Sequence, residues 1–365
     1  MENPWRIHLA SSAIQYLDII ASDPSMVAVW TRDGLVAFYD LDRGSLHGMS
    51  EFALHESPEQ WPALLASLKD PKGRPLPFAR IGGLSVWPLR DGSSMTYYGR
   101  AKVSLDTGKG AAPQELTFDV KPAALAIDPQ TQLVAALDPK GALLLGKPGG
   151  TTRTLKPGLT PVVDLPLSVA IAHGGKRIVV SDGNRLIVID SGKVSSRRDL
   201  HYACGLIALS PDGEQLLSFD TDSGVLRAYV PDALRLTHQR FVIDLLSSAE
   251  ERQLIGFAEL PPVSAALNAL TIDDAGRFVF AVFGQICAAS IRHLSATEGA
   301  PTGGKTTTSP KAEPVSPAPK SVEKSAARPS AVTGGSARPN PAKPLPSMPA
   351  AKDTSPLKTP PIDGE

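Results

Sequence analysis

Along most of the chain, short apolar runs alternate with short polar turns. One phrase recurs: an apolar strand, a tight turn, then a second apolar strand. It reads Leu206-Ile-Ala-Leu-Ser-Pro-Asp-Gly-Glu-Gln-Leu-Leu217 in one place and Leu167-Ser-Val-Ala-Ile-Ala-His-Gly-Gly-Lys-Arg-Ile-Val-Val180 in another. Residues 125–134 and 270–280 repeat it, and 17–29 hold a degenerate copy. Apolar runs this short, bounded by Pro, Asp and Gly, have the length of strands rather than helices. In Ser210-Pro-Asp-Gly213, Pro presets φ at the second turn position and Asp-Gly tolerates the reversal. The Ser and Asp of that turn are punctuation rather than candidate chemistry.

Each repeat reads as a four-stranded blade. In the unit that starts near Gly205, the strands are predicted at 206–209, 215–219, 225–230 and 239–245. The unit before it gives 169–172, 177–181, 186–190 and a fourth strand near 197–200. Near the start, 26–31 and 35–40 flank an Asp-Gly pair, a strong hairpin signal. The missing second blade is expected to include 84–87, 95–98 and 102–105. Its last counterpart offers 270–272, 278–283 and 286–291, with no fourth strand after them. Residues 5–10 are apolar enough to supply that outer strand, which would pair an open edge and lock a ring.

Spacing tests the repeat. The residues before the first turn of each unit, Ile127, Ile171, Leu209 and Ile272, are separated by 44, 38 and 63 positions. About 40–45 residues make one propeller blade. The longest gap is one blade plus an insertion at about 247–262, and the 106 residues from Ala21 to Ile127 hold two blades and a larger insertion. The fold class is therefore all-β: a β-propeller of six blades, or seven if an insertion hides one. It is closed by an N-terminal strand and followed by a disordered C-terminal tail. The domain boundaries are 1–294 for the ring and 295–365 for the tail.

These units resemble bacterial propeller repeats of the YVTN type, with kinship to WD repeats. The resemblance rests on Ile207-Ala-Leu-Ser-Pro-Asp-Gly213, Val179-Val-Ser-Asp-Gly-Asn-Arg-Leu-Ile-Val-Ile-Asp190 and Val36-Ala-Phe-Tyr-Asp-Leu-Asp-Arg-Gly44. It covers most of 12–294 and is weak over 52–118. The Trp-Asp and Gly-His pairs of true WD repeats are absent from the units. The resemblance implies a propeller that can serve as scaffold, ligand sensor or, as in lactonases, enzyme. No catalytic residue of that family maps onto this chain, and fold alone does not specify function.

Composition divides the 365 residues sharply. Every Trp, Tyr and Phe lies before residue 294, whereas 301–365 carry 14 of the 34 prolines. Such a tail cannot bury enough apolar surface to offset its ordering entropy, so disorder is expected there. Its Pro-x-x-Pro segments read as a spacer in polyproline II form. Net charge is zero, with 37 basic and 37 acidic side chains, so no electrostatic footprint for nucleic acid is present. Cys204 and Cys287 stand in apolar strands and do not make a disulfide framework. The first residues lack a basic stretch followed by an apolar one, and no run is long and apolar enough for a membrane helix. The expectation is a cytoplasmic protein with no membrane and no nucleic-acid partner.

Motif-like strings lose their chemistry in context. Gly299-Ala-Pro-Thr-Gly-Gly-Lys-Thr306 matches a phosphate-binding loop, but that loop needs a strand before it and a helix after it. The prolines at 310, 314, 317 and 319 forbid the helix. Asp220-Thr-Asp-Ser-Gly224 lacks the later ligands of a calcium loop. No His-x-His, His-Glu-x-x-His or Gly-x-Ser-x-Gly spacing occurs. Hence no catalytic, cofactor or metal residue is assigned, and the chain is read as not an enzyme.

One insertion, about 57–69, reads as a helix. Ser57-Pro-Glu-Gln60 is a capping box, with Pro62 able to delay the start. Trp61, Leu64, Leu65 and Leu68 fall on one face and are the candidate partner-binding residues, the alternative being that they pack on the ring itself. The functional expectation is a scaffold that binds a protein partner through blade loops and insertions, with the tail tethering or recruiting. A small-ligand or lactonase-like propeller using the central channel is the alternative.

Overall fold

The computed structural model describes residues 4–8, 14–21, 23, 25–31, 34–51, 59–81, 83–108, 110–246, 267–282 and 285–296. The chain opens with β1 (Trp5–His8). Blade 1 is β2 (Ile14–Ile20), β3 (Met26–Thr31), β4 (Leu35–Asp40) and β5 (Leu46–Glu51), followed by helix α1 (Trp61–Ser67). Blade 2 is β6 (Ala79–Ile81), β7 (Leu84–Pro88), β8 (Ser94–Tyr97), β9 (Lys102–Asp106) and β10 (Gln114–Thr117). Blade 3 is β11 (Ala124–Asp128), β12 (Leu133–Leu137), β13 (Leu143–Gly146) and β14 (Thr152–Leu155). Blade 4 is β15 (Ser168–Ile171), β16 (Arg177–Ser181), β17 (Arg185–Asp190) and β18 (Lys193–Asp199). Blade 5 is β19 (Cys204–Leu209), β20 (Leu216–Asp220), β21 (Val225–Val230) and β22 (Arg235–Phe241), followed by α2 (Ile243–Leu246). Blade 6 is β23 (Leu267–Ile272), β24 (Arg277–Val282) and β25 (Gln285–Ser290), and a last strand is β26 (Ser295–Ala296).

The six sheets are antiparallel meanders, and β1 adds to the free side of β25, with Trp5 opposite Ala288 and Ile7 opposite Ile286. The core consists of six apolar clusters, each filling the space between two successive blades. One of them joins Val279, Ile286 and Ala288 of blade 6 to Leu17, Val29 and Tyr39 of blade 1. That cluster closes the circle, so the expected six-bladed propeller is the observed one. Sheets with both faces buried favour continuous apolar runs, and β3 has one from Met26 to Trp30 and β24 one from Phe278 to Val282.

Polar ties reinforce the seam. Trp5 Nε1 donates to the Leu41 carbonyl at 2.7 Å. Arg277 binds Asp273 of its own blade at 2.7 Å and reaches Asp42 and Ser25 of blade 1 at 3.2 and 3.0 Å. The repeated turn is also polar-locked. Gly213 N–H donates to the Ser210 carbonyl at 2.9 Å, with Gly213 at φ +80°, and Asp212 accepts from Glu214 N–H at 2.9 Å. Asp220 accepts from the backbone of Asp222 and Ser223 and from Arg227, so the calcium-like string is a turn. Burial opposes its ionisation, but the bonds from Ser223 and Arg227 prevail and hold its carboxyl below the usual range.

Several expected boundaries move. The fourth strand of blade 5 is Arg235–Phe241 rather than 239–245, because Leu234 in the left-handed region (φ +46°) starts it early. Buried Val242 then ends it, its N–H bonded to the Gly224 carbonyl, and α2 packs Leu245 and Leu246 into the blade 5–6 core. After blade 6 the chain forms β26, which pairs with β22 and covers part of the outer edge of blade 5. Helix α1 begins at Trp61, with Gln60 giving no side-chain cap and Pro62 in its first turn. The Ser57-Pro58 part of the capping box, the 247–262 insertion, the Gly299–Thr306 string and the tail from 297 lie outside the described residues.

Candidate functional site

Blade 2 departs from the repeat, and the site follows from that departure. The turn after β7 repeats the blade grammar: Leu89 N–H bonds to the Ser93 carbonyl at 2.8 Å and Gly92 N–H to the Leu89 carbonyl at 3.2 Å, as Ser210 and Gly213 do in blade 5. So β7 corresponds to the first strand of other blades, and β6 is an additional strand on its inner side. In register, Arg80 stands opposite Ser85, and Ser85 opposite Tyr97. Cross-strand neighbours share a face, and residues two apart in one strand share it too. Arg80, Ser85, Trp87 and Tyr97 therefore lie on one face. Trp87 and Tyr97 pack in the cluster shared with Ile127 and Val134, which identifies that face as the one turned to blade 3.

Because β6 lies inside β7, its side chains have no full counterpart on blade 3, whose innermost strand is β11. A cavity of about 650 Å³ lies in the central channel of the ring, lined by Arg80, Ser85 and Trp87 of blade 2 and by the innermost strands of blades 3, 4 and 5 (Leu125, Val169 and Leu206 among them), with Lys121 at its rim. Its lining also includes Gly83, Gly99, Lys121 and Leu167, which lie in connections at one end of the blades, so the cavity opens at that end. Tyr16 of blade 1 completes the wall. Its ring centroid lies 4.3 Å from that of Phe78, and Phe78 lies 4.9 Å from Trp87, both tilted as aromatic pairs prefer.

Arg80 is the half-buried cation of this wall, and it makes no hydrogen bond or ion pair with any described residue. Its charge is felt by Tyr16 and Tyr97, whose phenols burial pushes upward while Arg80 pulls them down. Asp18 shares the Tyr16 face of β2, opposite Ala28, turned to blade 2. Burial raises its carboxyl to about 7, against a hydrogen bond from the backbone of Ile19. The arrangement can bind: aromatic and aliphatic walls with Arg80 among them and Lys121 at the rim.

The residues singled out from helical spacing lie beside this region. Leu65 is fully buried between blades 1 and 2, while Trp61, Leu64 and Leu68 pack half-buried on the same cluster, which also contains Tyr16. Only those three keep exposed surface. Spacing did not single out Phe78, Arg80 or Trp87, because a three-residue strand is too short to show alternation. A visible signal was the Trp87-Pro-Leu-Arg-Asp-Gly92 string, which marks β7 as a first strand and leaves 79–81 surplus.

No family model matches the chain, and no curated protein matches it. Solved structures do. The β-propeller domain of Cps50 (Swd1) from Myceliophteria thermophila is 14% identical, with a TM-score of 0.43 over 79% of this chain and 100% of that one. KlHsv2 with its loop 6CD replaced by a Gly-Ser linker is 9% identical, with a TM-score of 0.40 over 74% of each chain. At these values the architecture rests on the six sheets themselves.

Among the described residues, no group of three or more His, Cys, Asp and Glu side chains is placed to hold a metal. Cys204 and Cys287 are buried free thiols, each pushed up to about 12 by burial. Thiols so disfavoured as thiolates are poor nucleophiles. No described helix is long and apolar enough to cross a membrane.

Proposed function

We propose that this is a non-catalytic binding ring of the reducing cytoplasm, built of YVTN-type units, that captures a protein partner. The observation that carries the reading is the central cavity, where half-buried Arg80, on a strand the repeat does not require, stands beside Trp87 and Tyr16. Trp61, Leu64 and Leu68 flank it as a second contact, and the tail beyond Ala296 tethers or recruits. A rigid ring presents such side chains at little ordering cost, which favours tight binding. Sequestered thiols support an interaction role for the ring over thiol chemistry.

The test is affinity purification of the full-length chain beside its Trp87→Leu variant. A stoichiometric protein retained by the wild type and lost by the variant is the expected result. Retention of no protein by the wild type sinks the reading. A cavity of about 650 Å³ also suits a small molecule. A small molecule released from the denatured pure protein would replace this reading with the ligand-binding one. A chain ending at Ala296 separates the tail: partner recovery that falls with truncation assigns recruitment to it.

A further inference from the structure

We infer that the blade 2 side of the central cavity recognises an acidic peptide segment, a carboxylate side chain next to an aromatic one, through Arg80 and the Tyr16–Phe78–Trp87 wall. The inference rests on the partner-binding reading above and names the chemistry of that partner. Its starting point is Arg80. A guanidinium has five donors in a fork that fits a carboxylate, and Arg80 is only half-buried, so its donors stay open to a ligand. Here no described residue satisfies it. Lys121, exposed at the rim of the same cavity, adds a second positive charge. A cationic ligand would be repelled, and a neutral one would leave Arg80 unsatisfied.

The walls select the rest of the ligand. Three contiguous rings, spaced 4.3 and 4.9 Å, offer edges and faces to a fourth. The acid and the aromatic group must therefore be neighbours, since Arg80 and Phe78 are two residues apart in the chain and both line the cavity. The cavity opens at the end of the ring that carries the blade connections, so a chain can enter and leave it.

The experiment uses two blocked tetrapeptides, acetyl-Gly-Phe-Asp-Gly-amide and its Phe-Asn counterpart, titrated into the full-length protein with calorimetric detection. The wild type is expected to bind the Phe-Asp peptide about tenfold tighter than the Phe-Asn peptide, as one charge-assisted contact provides. Arg80→Met removes that preference, Arg80→Lys keeps part of it, and Trp87→Leu weakens both peptides alike. A thermal midpoint near the wild-type value for each variant shows that folding is intact. Equal binding of the two peptides by the wild type, binding of neither, or a preference that survives Arg80→Met overturns the inference. Phenylpropionate binding more tightly than the peptide with the same Arg80 dependence overturns the peptide source and assigns the site to a free aromatic acid. A partner still retained by Arg80→Met breaks this inference and leaves the partner reading. A peptide preference with no partner recovered does the reverse.

Discussion

Blades 5 and 2 hold the same kinds of side chain in opposite states. In blade 5, Arg227 lies 3.9 Å over the Tyr202 ring and bonds Asp220 at 2.8 Å, while the Tyr202 hydroxyl links Ser218 and Tyr229 at 2.7 and 2.8 Å. Arg227, Asp220, Tyr202, Ser218 and Tyr229 each have a partner within that group. In blade 2, Arg80 stands by Tyr16 and Tyr97 with no such partner. In blade 5 this cluster is satisfied within the fold, although Gln215 Oε1 and His238 Nδ1 of the same blade are buried without a partner among the described residues. Blade 2 carries an extra inner strand beyond its neighbour's edge, and its side chains are left for a ligand.

The comparison can be broken at either end. The largest effect is expected in the sealed region: Phe278→Ala, at a fully buried site between blades 5 and 6, should cost about 3–5 kcal/mol in denaturant unfolding. A loss below that of an exposed substitution would show that the blade 5–6 core is loose.

Next comes Asp18. Its folded-state carboxyl is raised from 3.8 to about 7, so the native state holds its proton more tightly than the unfolded chain does. Stability should then fall as pH rises across that window, by up to ~1.4 kcal/mol per pH unit, and level off above it. Asp18→Asn should remove that part of the slope and be the more stable form above pH 7. Parallel pH profiles for the two proteins would refute the assignment.

At the seam, Arg277→Met should cost about 1–2 kcal/mol, less than a fully buried pair because Arg277 and Asp42 are partly solvated. Pairing it with Asp42→Asn in a double-mutant cycle isolates the link between blades 6 and 1. The smallest effect belongs to the open region. Arg80→Met should change stability by no more than about 0.5 kcal/mol, since no interaction within the fold is lost. A large loss would mean that Arg80 is structural and that the two blades do not differ as described.

Much of this was legible in the chain. Met26–Thr31, Leu35–Asp40, Arg177–Ser181 and Val225–Val230 are strands at the boundaries their pattern predicts. Turn residues and apolar runs act locally, so they leave a local record. The closing strand was legible for a different reason: a last unit lacking one strand and an apolar segment lacking a sheet complement each other. Residues 235–241 were displaced in the reading because a left-handed Leu234 carries no glycine-like signature. Strand β26 escaped it because two residues opposite His238 and Gln239 make no pattern.

What the amino-acid sequence determined alone is the six-unit repeat, its turns and its closure, since each follows from short-range preference and periodicity. What only the tertiary structure decided is which side chains remain unused. Arg80 reads like any other arginine in a strand. It becomes a candidate contact because β6 lies inside β7, because blade 3 presents Ala123 and Leu125 there, and because Tyr16 arrives from another blade. Those relations join residues far apart in the chain, and they arise only when sheets pack around a common axis.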